Sequence, residues 1–168
     1  MPDLIAPTTT LHHAWLAAHA EWGPGAHEDG FGLTPADDVG SPTGFAAWVG
    51  RLADESARTT YRWIVDDGQV LGGIALRHHF DDYVRWAGHI GFGIRPAARR
   101  RGLAGWALAR MLDRARELGI DRLLLVCAVG NVASARTIQS AGGVFEEVRD
   151  TDLGPAQRYW ITLDPPSN

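Results

Sequence analysis

The spacing of apolar residues in the first third of the chain is that of helices. Residues 11–22 carry apolar side chains at helical spacing, directly after the N-capping hydroxyls of Thr8–Thr10. Residues 23–44 have no period and are rich in Gly, Pro and Asp, which is typical of a loop, and residues 44–56 return to helical spacing. The pattern predicts two helices joined by a long loop.

The next stretch changes to the two-residue period of β-strands. Residues 59–65 and 70–80 flank an Asp-Gly turn signal and predict a hairpin. Residues 81–85 are interpreted as a loop, and residues 86–95 predict a third strand. The sheet is therefore expected to begin antiparallel.

The period changes again after Pro96. Apolar residues from Ala104 to Leu118 form one stripe with charged residues outside it, and Gly119 stands where a C-terminal cap belongs. Residues 121–129 form a nearly continuous apolar run, which is typical of a strand buried on both faces. Strand, helix and strand together predict a parallel crossover.

The last part of the chain predicts a short helix over residues 131–143 and an antiparallel pair of strands over residues 144–148 and 157–163. No repeat, low-complexity tract or linker interrupts the pattern, so residues 1–168 are interpreted as one domain of mixed α+β class. The seven tryptophans are spread through the elements and are interpreted as core residues.

Composition and charge remove several classes of function. The net charge of −4 and the pI near 5.9 give no global field toward nucleic acid or anionic membrane. The single cysteine, Cys127, excludes an internal disulfide and fits a reducing compartment. No basic leader or membrane-length apolar run is present, so a cytoplasmic protein is expected. All sixteen basic residues are arginine, so no lysine amine can act as a nucleophile.

Three consecutive arginines, Arg99–Arg101, lie with Gly102 between a predicted strand and the clearest predicted helix. Free N–H groups of a first helical turn beside guanidinium groups favour a bound anion. Gly102 lets the backbone approach a phosphate closely, and the small residues Ala104 and Gly105 leave it uncovered. A pyrophosphate fits such a turn, while a solvated arginine surface is the alternative.

Two other phosphate motifs are excluded by the same residues. The run from Gly91 begins like a dinucleotide-binding fingerprint, but Pro96 stands at its third glycine position. A chain without lysine contains no P-loop.

The motif and its surroundings resemble the GNAT N-acetyltransferases, and more narrowly a branch of bacterial acetyltransferases. Residues 99–104 satisfy the family signature [QR]-x-x-G-x-[GA], and the resemblance extends over residues 61–163 through FGIRP, NVASARTIQSAGG and RYWI. It implies the GNAT fold: a central mixed, mostly antiparallel sheet of six or seven strands, a parallel crossover and about four helices. It also implies acetyl-CoA as the acyl donor.

The resemblance implies three sets of contacts with acetyl-CoA. The backbone of Phe92, Gly93 and Ile94 would pair with the pantetheine arm as an added strand, and Asn131 would bond the same arm. The pyrophosphate would be held by the arginine turn and the helix start: Arg99, Arg100, Arg101, Gly102, Leu103, Ala104 and Gly105.

His89 is the candidate catalytic base. Many members of the resembling family have a glutamate at this place in the strand, and an imidazole with an ordinary pKa near 6.5 could accept the proton of the attacking amine, directly or through water. The alternative is that His89 only hydrogen-bonds inside the sheet. A catalytic role predicts that His89→Gln lowers turnover by about 100-fold or more with cofactor affinity unchanged.

The chain departs from the family pattern at the general acid. The usual tyrosine falls on Ile138, and another common glutamate position falls on Val126. Tyr83 and Tyr159 are candidate replacements, and packing or rim positions are the alternative for both. Cys127 is interpreted as a buried apolar residue and not as a nucleophile.

Candidate acceptor-binding residues are Glu21, Trp22, His78 and Tyr83, with Glu28 and Asp29 as further acids that would suit a cationic amine. Ordinary solvated loop charges are the alternative for the acids. His78 and His79 are adjacent on a predicted strand and point to opposite faces, so no metal site is predicted.

The function expected from these features is transfer of an acetyl group from acetyl-CoA to a primary amine of a small molecule, by direct attack in a ternary complex. An aminoacyl-tRNA-dependent transferase is an alternative that the acidic net charge disfavours. A non-catalytic CoA-binding sensor is a second alternative. A homodimer is common among the resembling proteins, and neither a membrane nor a nucleic-acid partner is expected.

Overall fold

The computed structural model describes residues 1–22 and 29–164. The elements, in chain order, are β1 (Asp3–Ile5), α1 (His12–Trp22), α2 (Pro42–Asp54), β2 (Thr59–Asp66), β3 (Gln69–Arg77), α3 (Asp82–Ala87), β4 (Ile90–Ile94), α4 (Leu103–Glu117), β5 (Arg122–Ala128), α5 (Val132–Ser140), β6 (Val144–Thr151) and β7 (Gly154–Thr162). Short 3₁₀ turns precede α1 and α4, at Thr9–Leu11 and Pro96–Ala98.

Local capping explains where the first two helices begin. Before α1, the Thr8 side-chain oxygen accepts a hydrogen bond from the Thr10 amide at 3.3 Å. The Ser41 hydroxyl oxygen accepts one from the Gly44 amide at 3.0 Å, and Pro42 occupies the first turn of α2, where its missing N–H removes no helical bond. Both predicted helices are confirmed.

The hairpin of β2 and β3 is also confirmed. Asp67 and Gly68 form its turn with φ values of 50° and 71°. Two successive left-handed residues are the signature of a type I′ turn, whose twist matches that of the strands it joins.

The prediction of a loop over residues 81–85 followed by a strand from residue 86 is wrong. Asp81 caps a short helix, α3, by accepting a hydrogen bond from the Val84 amide at 2.9 Å, and Gly88 ends it with φ 85°. The helix spans six residues, too few for a helical period to show in the sequence. Strand β4 therefore begins only at Ile90.

Within residues 1–22 and 29–164, seven strands form two antiparallel sheets, in the orders β1-β2-β3-β4 and β5-β7-β6. Strand β5 pairs with β7 over its full length, from Arg122 opposite Thr162 to Ala128 opposite Ala156. The α+β class, the strand number and the final antiparallel pair are confirmed. The parallel pairing implied by the crossover does not occur in the ladders of the described residues, because β5 takes its partner from the end of the chain.

The chain divides into two compact units, one of residues 1–75 and 92–103 and one of residues 76–91 and 104–168. The organisation as a single domain stays a prediction.

The first unit has an aromatic core. Its innermost rings are at most 1% exposed: Trp15, Phe31, Phe45, Trp48 and Trp63. The ring centroids of Trp15 and Trp48 lie 4.8 Å apart, a distance at which aromatic pairs add to the stabilisation from burial alone. The core interpretation is thus confirmed for these tryptophans.

The second unit buries the apolar stripe of α4 and most of β5. Leu108 and Met111 of α4 and Leu123–Leu125 of β5 are at most 2% exposed. Gly119, with φ 77°, ends α4 where the sequence predicted a cap. Trp86 in this unit is 46% exposed, so its assignment to the core is wrong.

Candidate functional site

The arginine triplet forms a turn with a partly left-handed backbone, between β4 and α4. Arg100 has φ 63° and Gly102 has φ 74°, and α4 starts at the next residue, Leu103. The Arg99 Nε donates a hydrogen bond to the Ile94 carbonyl at 3.0 Å, which ties the start of the turn to the end of β4. The turn thus leads directly into a helix of 15 residues.

The surroundings of this turn are suited to a phosphate group. A methyl group placed on Gly102 or Gly105 would meet no heavy atom within 4 Å, so the backbone is open at both positions. Arg100 and Arg101 are exposed, and neither has an ion-pair partner within residues 1–22 and 29–164. The first turn of α4 contains no acidic residue. Unneutralised guanidinium groups beside a helix N-terminus favour an anion.

Strand β4 offers an unpaired edge. It is the last strand of the sheet β1-β2-β3-β4, so its outer N–H and C=O groups have no partner strand in that sheet. Gly93 is required there, because a Cβ would lie 2.7 Å from the Asp29 carbonyl oxygen. An extended chain such as a pantetheine arm can add to an edge of this kind. The contact of Phe92, Gly93 and Ile94 with pantetheine stays a prediction.

Asn131 is the N-cap of α5. Its side-chain Oδ1 accepts a hydrogen bond from the main-chain amide of Ser134 at 3.2 Å, and the main-chain amide of Asn131 donates to the Ala128 carbonyl at 3.0 Å. The side chain is exposed, and its Nδ2 group remains as a donor. The predicted bond to pantetheine would use this group.

His89, just before β4, pairs with two other segments. Its amide donates to the Leu124 carbonyl at 2.6 Å, and the Leu124 amide donates to His89 Nδ1 at 2.8 Å. Its own carbonyl accepts from the Arg77 amide at 2.7 Å. The imidazole nitrogen thus takes the place that a main-chain carbonyl has in an antiparallel pair. His89 joins β5 to the end of β3 through these three bonds.

The environment of the His89 ring favours the neutral form. The residue is 4% exposed, and the ring lies against Phe80 with centroids 5.7 Å apart. Burial lowers its pKa to about 4. Because Nδ1 accepts from an amide, the neutral ring carries its proton on Nε2 and can donate there but not accept. The role as base stays a prediction that these contacts disfavour, and the hydrogen bond inside the sheet is present.

Glu21 is engaged within the protein. Its Oε2 accepts a hydrogen bond from Arg95 Nε at 2.7 Å, and its Oε1 accepts one from the Ala97 amide. The Ala97 amide, together with Arg95, lowers the pKa of this carboxyl. Glu21 therefore fixes the segment that precedes the arginine turn. Its predicted contact with an acceptor amine would have to compete with Arg95.

The other predicted acceptor residues differ in exposure. Trp22 packs at the edge of the aromatic core of the first unit, with its ring centroid 5.8 Å from that of Phe31. In the second unit His78 is half-buried, and Tyr83 is 48% exposed with the Arg77 guanidinium 4.8 Å from its ring centre. Glu28 lies outside the described residues. The acceptor roles of these residues stay predictions.

Tyr159, one of the two candidates for a general acid, is buried, as are Cys127 and Ile138. Ile138 is 1% exposed, and Tyr159 is 2% exposed with its hydroxyl donating to Gln157 Oε1 at 3.1 Å. Burial raises the pKa of Tyr159, which makes it a weaker acid. Burial also raises the pKa of the Cys127 thiol, so the thiolate needed for nucleophilic attack is disfavoured.

A pocket that the sequence analysis missed lies in the second unit. Its volume is about 240 Å³, and its lining consists of Trp86, Val126, Arg149, Asp150, Thr151, Asp152, Ala156 and Arg158. The feature of the sequence that could have indicated it is the pair of closely spaced aspartates in the β6–β7 hairpin, Asp150 and Asp152. The sequence analysis did not predict helix α3, which carries Trp86, and so it could not place Trp86 at this pocket.

Two further observations concern metals and membranes. Within the described part of the chain, no three His, Cys, Asp or Glu side chains are grouped so that they could hold a metal ion. None of the described helices combines the length and the apolar character needed to cross a bilayer.

Residues 34–144 match the family model described as the acetyltransferase (GNAT) domain. No curated protein sequence is significantly similar to the chain.

Several solved structures share the fold at low sequence identity. The ribosomal-protein-S5-alanine acetyltransferase from Vibrio fischeri has a TM-score of 0.76 at 14% identity, with 97% of this chain and 93% of that chain covered. An acetyltransferase from Salmonella typhimurium that modifies the N-terminal serine of ribosomal protein L7/L12 has a TM-score of 0.73 at 14% identity, with 97% and 95% covered. The microcin C7 self-immunity acetyltransferase MccE, in complex with acetyl-CoA and AMP, has a TM-score of 0.74 at 13% identity, with 96% and 92% covered.

Proposed function

The chain belongs to the GNAT acetyltransferase family and is an acyltransferase with acetyl-CoA as donor, and we propose that its acceptor is a primary amine of a small molecule. The amine nitrogen attacks the thioester carbonyl carbon, a C–N bond forms and the C–S bond breaks. The nitrogen loses one proton, and CoA leaves as the thiolate.

One observation carries the donor side of this function. The turn at Arg99–Gly102 combines an open backbone, the N-terminus of α4 and two guanidinium groups that have no ion-pair partner among the residues that the structure describes. These are the features that bind a diphosphate, and acetyl-CoA carries one. The edge of β4 supplies main-chain groups for the arm that follows it.

The state of Cys127 supports direct attack in a ternary complex. An acyl-enzyme route needs an activated nucleophile, and the thiol of Cys127 is 8% exposed with a raised pKa. Its Sγ lies 4.0 Å from Gln157 Oε1, and an amide oxygen is not a base that could activate the thiol. Lysine is absent from the chain. Direct transfer needs none of these groups.

Initial rates of CoA-thiol release over a panel of small primary amines test the proposal. A ternary complex gives intersecting lines when the acetyl-CoA concentration is varied at several fixed amine concentrations, and an acyl-enzyme gives parallel lines. Saturable acetyl-CoA binding without turnover on any amine would contradict the small-molecule assignment and support the sensor alternative.

A protein N-terminus is the second candidate acceptor. Two structures of the same fold are described as acetylating ribosomal proteins, one at an N-terminal serine of L7/L12 and one at an alanine of S5. Peptides that begin with serine or alanine should therefore be included in the panel. A kcat/KM for a peptide well above that of every small amine would move the assignment to protein N-termini.

The remaining alternatives have separate tests. Transfer from an aminoacyl-tRNA is disfavoured by the net charge of −4, and equilibrium binding of acetyl-CoA against charged tRNA decides it. The free Cys127 fits a cytoplasmic location. The homodimer stays a prediction that light scattering in solution tests.

A further inference from the structure

The arginine turn is held at both ends by buried residues. Ala98 is 2% exposed and Leu103 is 7% exposed, while the four residues between them, Arg99–Gly102, are exposed. Arg100 has a left-handed backbone with φ 63°, which is unfavourable for an arginine. The conformation of the turn therefore depends on how firmly its two ends are fixed.

The first of these ends belongs to the 3₁₀ turn of Pro96–Ala98, which is capped from another part of the chain. Arg95 is at its N-cap, and an arginine side chain has no hydrogen-bond acceptor with which to cap it. Because Pro96 has no N–H group, Ala97 carries the first main-chain donor of this turn. The Oε1 of Glu21, which is 76 residues away on α1, accepts that amide. Glu21 thus caps the segment that leads into the arginine turn.

Arg95 holds Glu21 in this capping position. Its Nε donates to Glu21 Oε2 at 2.7 Å, and its NH2 lies 2.6 Å from the same oxygen. The guanidinium also donates to the Val70 carbonyl at 3.3 Å, and the Arg95 main-chain amide donates to the Leu71 carbonyl at 2.8 Å. Both side chains of the ion pair are mostly buried, where the attraction is stronger than at the open surface. The pair therefore connects α1, β3 and the segment before the arginine turn.

The carboxylate of Glu21 also acts on the charges of the triplet. The Ala97 amide lowers the pKa of Glu21, and Arg95 and Arg99 lower it further, so the carboxylate lies within electrostatic range of the triplet. Residues 95–101 contain four arginines, whose positive charges repel one another. By pairing with one of them, Glu21 reduces the repulsion that opposes a compact turn.

We propose that Glu21 is a positioning residue of the donor site, which together with Arg95 holds the arginine turn in the conformation that binds the diphosphate of acetyl-CoA. This inference rests on the donor site of the proposed function, and it gives Glu21 a role at the donor instead of at the acceptor amine. It holds for any acceptor.

Calorimetric titration of the full-length protein with CoA measures the effect of Glu21→Gln. Glutamine keeps an oxygen for the Ala97 amide and removes the charge that holds Arg95. We expect CoA affinity to decrease about three- to tenfold, because the apparent affinity falls in proportion to the fraction of molecules whose turn is in the binding conformation.

Glu55→Gln is the matched control. Glu55 lies in the same unit, pairs with Arg51 at 3.1 Å and accepts a hydrogen bond from the Tyr61 hydroxyl at 2.9 Å. Its substitution should cost stability without changing CoA affinity, because these partners lie outside the segment of residues 95–102. An equal loss of affinity in the two variants would show that Glu21 contributes only general stability, and it would overturn the proposal.

A double-mutant cycle with Arg100→Gln, Arg101→Gln shows whether Glu21 acts through the turn. In the variant without these two guanidinium groups, Glu21→Gln should weaken CoA binding by less than about twofold. A larger factor in that background, or a loss of less than about threefold from Glu21→Gln alone, would overturn the positioning role. If Glu21→Gln is too unstable to titrate, adding Arg95→Gln leaves no unpaired charge, and wild-type affinity in that double variant would overturn the role.

The same titrations separate this inference from the function on which it rests. Wild-type affinity in the variant Arg100→Gln, Arg101→Gln, or no CoA binding by wild type, would overturn the donor site and this inference with it. Weaker binding in that variant with unchanged binding in Glu21→Gln would overturn the positioning role alone. The acceptor is tested by turnover on the amine panel and does not enter these measurements.

Discussion

Replacing His89 with asparagine separates its two candidate roles. The Oδ1 of asparagine occupies nearly the place of the imidazole Nδ1 and can accept the Leu124 amide hydrogen bond, which is 2.8 Å long in the protein. Asparagine cannot take up a proton. Glutamine places its amide nearer to the position of Nε2 and leaves the Leu124 amide without its acceptor. The two variants therefore keep and remove the same hydrogen bond, and both remove the titrating group.

The magnitude follows from the pKa of His89, which burial lowers from 6.5 to about 4. Above pH 6.5 the ring is neutral in the folded and the unfolded chain. Between pH 6.5 and pH 4 the unfolded chain takes up a proton that the folded protein excludes, so the free energy of unfolding decreases as the pH falls. At about pH 4.5 this linkage costs the wild type about 2 to 3 kcal/mol, at about 1.4 kcal/mol per pKa unit. The nearby Arg77 lowers this pKa further, and Asp81 opposes it.

Urea unfolding at about pH 7.5 and about pH 4.5 measures the effect. We expect the decrease in stability between the two pH values to be smaller in His89→Asn than in wild type by about 2 to 3 kcal/mol. The exposed His79→Asn should retain the wild-type decrease. An unchanged decrease in His89→Asn would refute the assignment of a buried, neutral imidazole.

Turnover completes the comparison. If His89 is a hydrogen-bond acceptor in the sheet, His89→Asn keeps most of the activity, and His89→Gln is destabilised by about 1 to 3 kcal/mol because a buried amide loses its partner. If His89 is the base, both variants lose about 100-fold or more in kcat with acetyl-CoA affinity intact, and His89→Asn does so in a protein of unchanged stability at neutral pH. That second result would refute the reasoning from the Leu124 contact.

Three further predictions concern the donor site and its support. Arg100→Gln with Arg101→Gln should weaken CoA binding in calorimetry by about 10-fold or more, while the control Arg114→Gln at the other end of α4 has no effect; equal affinities would exclude the arginine turn. Glu21→Gln should lower the thermal midpoint near neutral pH, where the depressed pKa makes the carboxylate stabilising, and this difference should shrink as the pH falls through the folded pKa; a pH-independent difference would contradict the ion-pair assignment. Cys127→Ala should keep kcat within about twofold, because a buried thiol with a raised pKa takes no part in direct transfer; loss of activity in a stably folded variant would indicate an acyl-enzyme.

Long periodic segments were predictable because their burial pattern is local. The apolar stripe of α4 and the continuous apolar run of β5 are both buried, and both patterns can be seen directly in the order of the residues. The turn before α4 was also predictable from local sequence, because glycine allows a left-handed backbone and arginine carries a positive charge wherever they occur.

The pairing of strands was less predictable. Strand β5 takes β7 as its partner, and nothing local to residues 122–128 identifies a strand that lies more than twenty-five residues later. Helix α3 was missed because it depends on one capping aspartate and on packing of Val84, which is 1% exposed. Because Trp86 belongs to this helix, the pocket that it lines was not predicted either.

The state of side chains was not predictable, because it depends on neighbours that are distant in sequence. His89 and Glu21 both read as available functional groups. In the structure His89 accepts a hydrogen bond from the main-chain amide of Leu124, which is 35 residues away in sequence. Glu21 accepts one from the main-chain amide of Ala97 and another from Arg95, which is 74 residues away. A polar residue that looks functional in the sequence can therefore serve instead to hold the segments around the site in place.

Ile138, which the family resemblance places at the position of the usual tyrosine, is part of the packing of the second unit. Ile138 is 1% exposed, and a Cβ on Gly143 would lie 2.5 Å from its Cγ2 atom. The glycine is thus fitted to the isoleucine, and a tyrosine ring would have to displace both α5 and the turn that follows it. The substitution Ile138→Tyr is expected to destabilise the second unit by about 1 to 3 kcal/mol through overpacking instead of raising kcat. An increase in kcat in a variant of unchanged stability would show that the site has room for a general acid at this position and that the lack of one limits the rate.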